Sequence, residues 1–313
     1  MRHTGQHRVS GQQPEKASLY QEVTDRIITE LEQGRVPWVQ PWGGAKAGLG
    51  LPKNAATGRR YSGVNILILW GAVIAQGFAC QHWLTFRQAL DLGGNVRKGE
   101  RGTTVCYADR FIPKGEIERA RQDGDEPEAV PFLKRFTVFN IAQCDGLPDR
   151  LFAGAPILPE REVIPHAEAL IAATGADFRI GGARACYVPD GDFIQVPPQP
   201  AFFEQINYYR TCFHELGHWT AHKSRLNRDL SGRFGSNPYA REELVAEMAS
   251  AFTCAALGIA PTVRHADYLA SWLEVLREDN RAIFRAASQA TKAADFVLAF
   301  QPEAATGDME AAA

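Results

Sequence analysis

The sequence predicts an α+β protein of two domains, and three observations predict it. Apolar residues recur at helical spacing near both ends of the chain, while strand-like runs come in pairs between them. A Gly- and Pro-bearing break falls near 150–158 (Gly154, Pro156, Pro159). The sign of the charge changes across that break: residues 1–150 carry 20 Lys and Arg against 16 Asp and Glu, and residues 151–313 carry 14 against 20. A length of 313 residues agrees with two domains. The boundaries read as 15–152 and 156–300, between a polar lead-in (1–14) and an alanine-rich tail (301–313) that are both expected to be disordered.

Over 15–34, Leu19, Val23, Ile27 and Leu31 recur every four residues, and Gly34 and Pro37 follow, which predicts an amphipathic helix. Residues 37–44 form a Pro- and Gly-rich loop that carries Trp38 and Trp42. After a turn at Asn54, Thr57 and Gly58, the apolar stretch 66–74 reads as a buried helix closed by Gly77. Thr85 and Gln88 form a capping box for the next helix, which ends at Gly93-Gly94. The basic turn 96–102 leads into a strand over 103–111, and a second strand returns over 132–141. The polar, acidic segment 113–131 between them shows no periodicity and reads as a long hairpin tip.

The second half opens with a helix over 160–174. Short strands follow near 178–180, 185–188 and 193–196, the last two joined as a hairpin by Pro189-Asp190-Gly191-Asp192. Pro197-Pro198 suggests that 193–196 is an edge strand. A helix opened at 200–202 carries His214 and His218, a polar loop covers 223–238, a long helix covers 240–257, and 265–300 is again helical.

The composition narrows the classes. Hydrophobic residues make up 45% and charged residues 22%, as in an ordinary globular protein. No apolar run approaches the length of a membrane span, and the N-terminus lacks the apolar core of a signal peptide. The expected location is therefore the cytoplasm, with no membrane partner. The six cysteines are scattered with no CxxC pair, so they read as reduced, mostly buried thiols. Residues 35–101 hold nine basic side chains against two acidic ones (Asp91, Glu100), an excess that suits a polyanion, although a solvated basic face has the same composition. Single-stranded nucleic acid binders pair such charge with aromatic rings. Trp38 and Trp42 either stack on bases or fill the core of this half.

Residues 214–218 read His-Glu-Leu-Gly-His. Two histidines four apart lie on one helical face and can share a metal ion, with Glu215 beside them as general base. Zinc is the expected ion, with another divalent metal such as Mn2+ as the alternative. Such a site needs a third ligand. Glu243 lies 25 residues after His218 on a helix that reads as buried, with Glu247 one turn on. Two carboxylates on a buried stripe call for a cation or a partner. Glu243 is the expected ligand and Glu247 the group behind a ligand imidazole. Glu242 is a rival about 100° round the helix, and His222 continues the 214–218 series. Glu215 would take a proton from a metal-activated water and return it to the leaving amine. Tyr239 would stabilise an oxyanion, and the strand 193–196 would pair with an extended peptide. The alternative is a metal that only staples the fold.

These pieces together resemble the ArdC-type antirestriction proteins of conjugative plasmids and their relatives in plasmid-encoded primases. In the first half the matching motifs are Pro37-Trp38, Pro41-Trp42, Leu51-Pro52-Lys53-Asn54, Thr57-Gly58, Tyr61-Ser62-Gly63-Val64-Asn65, 83–88, 96–100 and Val138-Phe139-Asn140. In the second they are 213–219, Arg225-Leu226-Asn227-Arg228, 239–247 and 268–272. The spacing of Glu243 and Glu247 is also similar to that of gluzincins. The resemblance implies a first domain that binds single-stranded DNA with little sequence preference. It also implies a second, zincin-like domain related to SprT-type metallopeptidases, and a role in protecting incoming plasmid DNA from restriction during conjugation. Candidate DNA contacts are then Trp38, Trp42, Lys53, Asn54, Arg59, Arg60, Tyr61, Asn65, Arg97 and Lys98. Two alternatives stay open: an active zinc metalloprotease that cleaves protein on DNA, and a non-catalytic domain that docks a restriction enzyme or another DNA-bound protein.

Overall fold

A computed structural model describes residues 18–39, 50–152, 160–232, 235–260 and 268–301. The expected lead-in, Trp42, residues 153–159 of the break and the tail from 302 on lie outside them.

Helix α1, Leu19–Glu32, starts where the Ser18 hydroxyl accepts from the Gln21 N–H, and it buries the stripe Leu19, Val23, Ile27 and Leu31. Helix α2, Val64–Gln76, is apolar nearly all round, as a helix enclosed on every side must be, and ends at Gly77 with φ 67°. Strands β1 (Lys53–Asn54), β2 (His82–Leu84), β4 (Thr103–Phe111) and β5 (Val130–Asn140) form one sheet in the order β1-β2-β5-β4. Helix α3, Phe86–Asp91, carries the expected capping box of Thr85 and Gln88. Strands β3 (Asn95–Val96) and β6 (Cys144–Asp145) pair apart from the sheet.

The connection between β4 and β5 is not a plain hairpin tip. It holds a ten-residue helix, α4, Lys114–Asp123, which ends at Gly124 with φ 74°. Arg119 bridges to Glu116 one turn back, and among the described side chains of the helix only Ala120 is deeply buried. A helix held by side-chain pairs and propensity, with almost no apolar face, leaves little period in the sequence to read.

In the second half, α5 (Glu160–Ala173) is followed by β7 (Asp177–Ile180), β8 (Cys186–Val188) and β9 (Phe193–Val196), in the sheet order β7-β9-β8. This corrects the expectation for 193–196. β9 is the central strand, parallel to β7 and antiparallel to β8, and buries Ile194 and Val196 against α6. Pro197 and Pro198 end the strand; they do not mark an edge. Helix α6, Gln205–Trp219, begins after a short 3-10 turn over Gln199–Ala201, a little later than the sequence suggests. Helix α7, Asn237–Ala256, starts at the Ser236 cap, and two helices, α8 (Leu269–Glu278) and α9 (Ala282–Leu298), fill the final helical stretch.

The largest core crosses the sequence break. Trp38 packs edge-on to Trp272, with ring centroids 5.4 Å apart, and Trp70 packs in the same way on Phe252 at 5.7 Å. The Thr24 hydroxyl donates to the Asn280 carbonyl, and the Gly63 N–H donates to the Thr291 hydroxyl. The two halves therefore share buried apolar surface. Among the described residues, no helix is long and apolar enough to cross a membrane. Of the six free cysteines, only Cys186 is exposed.

Candidate metal centre

Helix α6 lies between the three-stranded sheet and α7. Its sheet side is apolar (Cys212, Phe213, Leu216), and its other side presents His214 and His218 to α7. Gly217 sets how near the two helices come. A Cβ at this position would sit 3.2 Å from the Ala246 Cα and 3.3 Å from its carbonyl oxygen. A glycine between the two histidines thus permits the close backbone approach that brings Glu243 within reach of both.

The donor atoms converge. The two Nε2 atoms of His214 and His218 are 3.2 Å apart, and the Glu243 carboxylate oxygens are each 3.5 Å from one of them. Among the described residues this trio is the one cluster whose ligand atoms lie within 4.8 Å of one another. A tetrahedral ion with bonds of about 2.0–2.1 Å places its ligand atoms about 3.3–3.4 Å apart. The donor set, two imidazoles and a carboxylate, is also one that divalent zinc or manganese accepts. The residues fit a resident metal ion.

Behind the trio stand two further carboxylates. Glu247 Oε1 lies 3.7 Å from His214 Nδ1, and Glu242 Oε1 lies 3.3 Å from His218 Nδ1. Glu242 is therefore not a rival to Glu243 but its complement, since the two carboxylates take opposite nitrogens of His218. Arg228 fixes Glu242 with donors at 2.7 and 3.0 Å, and also donates to the Gly217 carbonyl and the Thr220 hydroxyl. Arg228 is a site residue that no local spacing in the sequence marks. The signal available was chemical: a third glutamate on a buried helix needs a cation, and the preceding loop is rich in arginine.

The electrostatics follow from this crowding. Burial alone would pull the His218 pKa down, but Glu242 and Glu243 outweigh it and raise it to about 10. Burial pushes Glu243 up, and the hydrogen bonds and charges of the two histidines overcome this and hold it well below the carboxylate range. The site is built to surround positive charge.

Glu215, 3% exposed, lines the same pocket of about 280 Å³, together with Tyr239, Tyr268 and the β8 residues Cys186 and Tyr187. The strand edge at the pocket is thus β8, not 193–196. The Tyr239 hydroxyl lies 3.3 Å from that of Tyr268, and burial, then Tyr268 and Glu243, raise its pKa, which keeps it protonated as a donor. His222 stands apart, hydrogen-bonded to Ser224 and 4.0 Å from Asp192. The Arg225 guanidinium joins that group, pairing with Asp192 and covering the Trp219 ring at 4.0 Å.

The candidate DNA contacts do not gather in the same way. Trp38 is 0% exposed, so it is a core residue and offers no face to a base. The Asn54 amide closes its own turn through the Ala56 and Thr57 N–H groups and donates to Gln88. The Asn65 amide clamps β4, donating to the Cys106 carbonyl at 2.7 Å and accepting from its N–H at 2.8 Å. Arg97 is engaged by Glu100, Asp145 and the Ala142 carbonyl. Tyr61 is partly buried, and burial raises its phenol pKa. Lys53, Arg59, Arg60 and Lys98 are exposed. The structure thus corrects Trp38 from a DNA contact to a core residue, and it engages the Asn54 and Asn65 amides within the framework.

Fold and site together define a zincin-type metallopeptidase module built against an α+β partner. Residues 165–289 match the zincin-like metallopeptidase family, and residues 17–139 match the N-terminal domain of anti-restriction factor ArdC. The chain is 42% identical over 301 residues to the "Uncharacterized protein y4eC" of Sinorhizobium fredii (strain NBRC 101917 / NGR234), covering 94% of this chain and 96% of that protein. It is 40% identical over 305 residues to DNA primase TraC of Escherichia coli, covering 91% of this chain but only 27% of TraC. Crystal structures of the antirestriction ArdC protein from the R388 plasmid superpose with a TM-score of 0.75. The metal-free form is 41% identical and covers 90% of this chain and 97% of that one. The Mn(II)-bound form is 39% identical and covers 92% and 99%. The chain belongs to the ArdC antirestriction family.

Proposed function

We propose that this chain is a cytoplasmic antirestriction protein that binds single-stranded DNA with little sequence preference and holds a divalent metal, zinc or manganese, at His214, His218 and Glu243. Kinship with the R388 protein, solved with Mn(II), supports the metal and the protective role. The observation that carries the reading of the centre is Glu215. It sits on the histidine helix, outside the ligand trio, yet lines the pocket with it. A purely structural site needs no carboxylate there. A bound ion would supply Lewis-acid activation of a water and polarise a carbonyl. Glu215 would hold the proton taken from that water and pass it to a leaving amine. The protonated Tyr239 hydroxyl would donate to the developing oxyanion. The β8 edge would align an extended chain beside the pocket.

Metal content and oligonucleotide anisotropy test this. His214→Ala should lose the bound ion, and Glu215→Ala should keep it. Wild type should bind single strands better than duplex, with affinity falling as salt rises. Equal metal in wild type and His214→Ala would remove the centre from the account. If Glu215→Ala keeps full antirestriction in cells, protection rests on binding, and the pocket's chemistry is not needed for it.

A further inference from the structure

Once Trp38 is placed in the core, the nucleic-acid reading lacks a flat surface on which bases can stack. The β4–β5 ribbon has one. In the register of this antiparallel pair, Val105 stands opposite Phe136, Tyr107 opposite Lys134, and Asp109 opposite Phe132. Alternation places Tyr107, Phe111, Phe132, Lys134 and Phe136 on one face. At the foot of the ribbon that face is buried, through Val105 and Val138. Further out it is open: Tyr107 is 52% exposed, Phe111 50% and Phe136 46%.

The rings are ordered in two pairs. Tyr107 and Phe136 meet edge to face at 5.8 Å, and Phe111 and Phe132 at 5.6 Å. An edge-to-face pair covers one face of one ring and leaves the other ring faces of the pair uncovered by it. Lys134 stands between the pairs, its Nζ 4.9 Å from the Phe132 centroid. Asp109, the one acid on this face, is turned to the Arg110 N–H. Three half-exposed aromatics, with the partly buried Phe132 beside them, are a costly arrangement on one side of a ribbon for a surface with no ligand. A protein partner would favour an apolar patch without a cation at its centre. Rings interleaved with an ammonium suit a chain that carries both flat bases and phosphates. Tyr107 and Phe111 are four residues apart along the strand, about 13 Å, or about four stacked nucleotides of a single strand. The basic turn holding Lys98 and Arg101 leads directly into the foot of β4, which continues positive charge toward the ribbon.

We propose that this face of the β4–β5 ribbon is the base-stacking platform for single-stranded nucleic acid, with the two aromatic pairs taking bases and Lys134 a phosphate. The inference rests on the DNA-binding reading above and supplies its surface.

The test is fluorescence anisotropy on the full chain with a labelled dT20 and an abasic strand of equal length. Wild type should bind dT20 more tightly than the abasic strand. Tyr107→Ala/Phe136→Ala and Phe111→Ala/Phe132→Ala should each weaken dT20 binding about tenfold or more and leave abasic binding nearly unchanged. Tyr107→Leu/Phe136→Leu, which keeps apolar surface but removes the flat rings, should lose the same preference. Lys134→Ala should lower the salt slope by about one on both strands. Unchanged metal content and melting confirm that each variant is folded. If wild type binds dT20 and both pair variants bind it equally well, the platform is wrong while the DNA reading stands. If wild type binds no single strand, the DNA reading itself fails. If the pair variants alter only the oligomeric state in light scattering, the face joins copies of the chain, and the platform is again overturned.

Discussion

The α6–α7 centre and the β4–β5 ribbon place chemistry on opposite kinds of surface. At the centre His214, Glu215, Glu242, Glu243 and Glu247 are buried, His218 is nearly so, and each nitrogen of His218 faces a carboxylate. On the ribbon the groups of interest are half exposed aromatic rings that meet mainly one another. The centre is therefore an outcome of packing: two helices come close at Gly217, and the polar groups between them have one arrangement. The ribbon is an outcome of incomplete packing, since strand pairing holds the backbone while the side chains wait for a partner. Substitutions at the centre should act on stability and metal together. Those on the ribbon should act on binding alone.

Trp38 tests that division most strongly, because it lies in the first half of the chain yet packs on Trp272 across the sequence break. Trp38→Ala should cost about 3–5 kcal/mol of unfolding free energy, measured by urea titration. Under conditions where the variant remains folded, its affinity for dT20 should match wild type. A large loss of affinity in the folded variant would place Trp38 at the DNA surface and break the comparison.

The two regions also differ in how far they can be read from sequence. His214, Glu215 and His218 are legible because helical geometry fixes neighbours four residues apart, whatever the tertiary structure does. Glu243 needed one further step, that a carboxylate on a buried helix seeks a cation. Arg228 and the role of Glu242 were not legible. They depend on where the loop after α6 returns to α7, which no local spacing encodes. On the other half, strands 103–111 and 132–141 were visible as runs, but which face stays open depends on how α2 covers the foot of the sheet. Tryptophan content misled for the same reason: Trp38 and a surface tryptophan have the same sequence signature. The central position of β9 was hidden because a parallel partner, β7, lies on the far side of a hairpin that looks complete by itself.

A smaller effect sharpens the account of the centre. Glu242→Gln keeps the shape of the side chain and removes the charge that Arg228 and His218 share. Groups that orient a ligand imidazole typically contribute about 10–100-fold to metal affinity. Competition with a chromophoric chelator should show a loss in that range, while dT20 binding stays at the wild-type value. Unchanged metal affinity would reduce the Arg228–Glu242 pair to a staple for the loop.

The smallest effect lies between the centre and solvent, at the clamp that joins the β8–β9 turn to the end of α6. Asp192 accepts from Arg225 and from the Tyr187 hydroxyl, so β8, the strand edge at the pocket, is tied to the histidine helix. The Arg225 hydrogen bond, above all, lowers the Asp192 pKa from its ordinary 3.8, against a smaller opposing push from burial. A carboxyl lowered in the folded state stabilises fully above its unfolded value. Its contribution disappears as pH falls from 3.8 through the lower folded value. With the Asp192 side chain 37% exposed, solvent screening limits the effect to about 1 kcal/mol or less. Urea midpoints of wild type and Asp192→Asn should differ by a constant amount from pH 5 to 7, and the gap should shrink steadily as pH falls below 3.8. A gap that does not shrink at all on acidification would mean that the clamp acts through shape and neutral hydrogen bonds, as the buried centre does, and that this rim belongs to the packed region of the molecule.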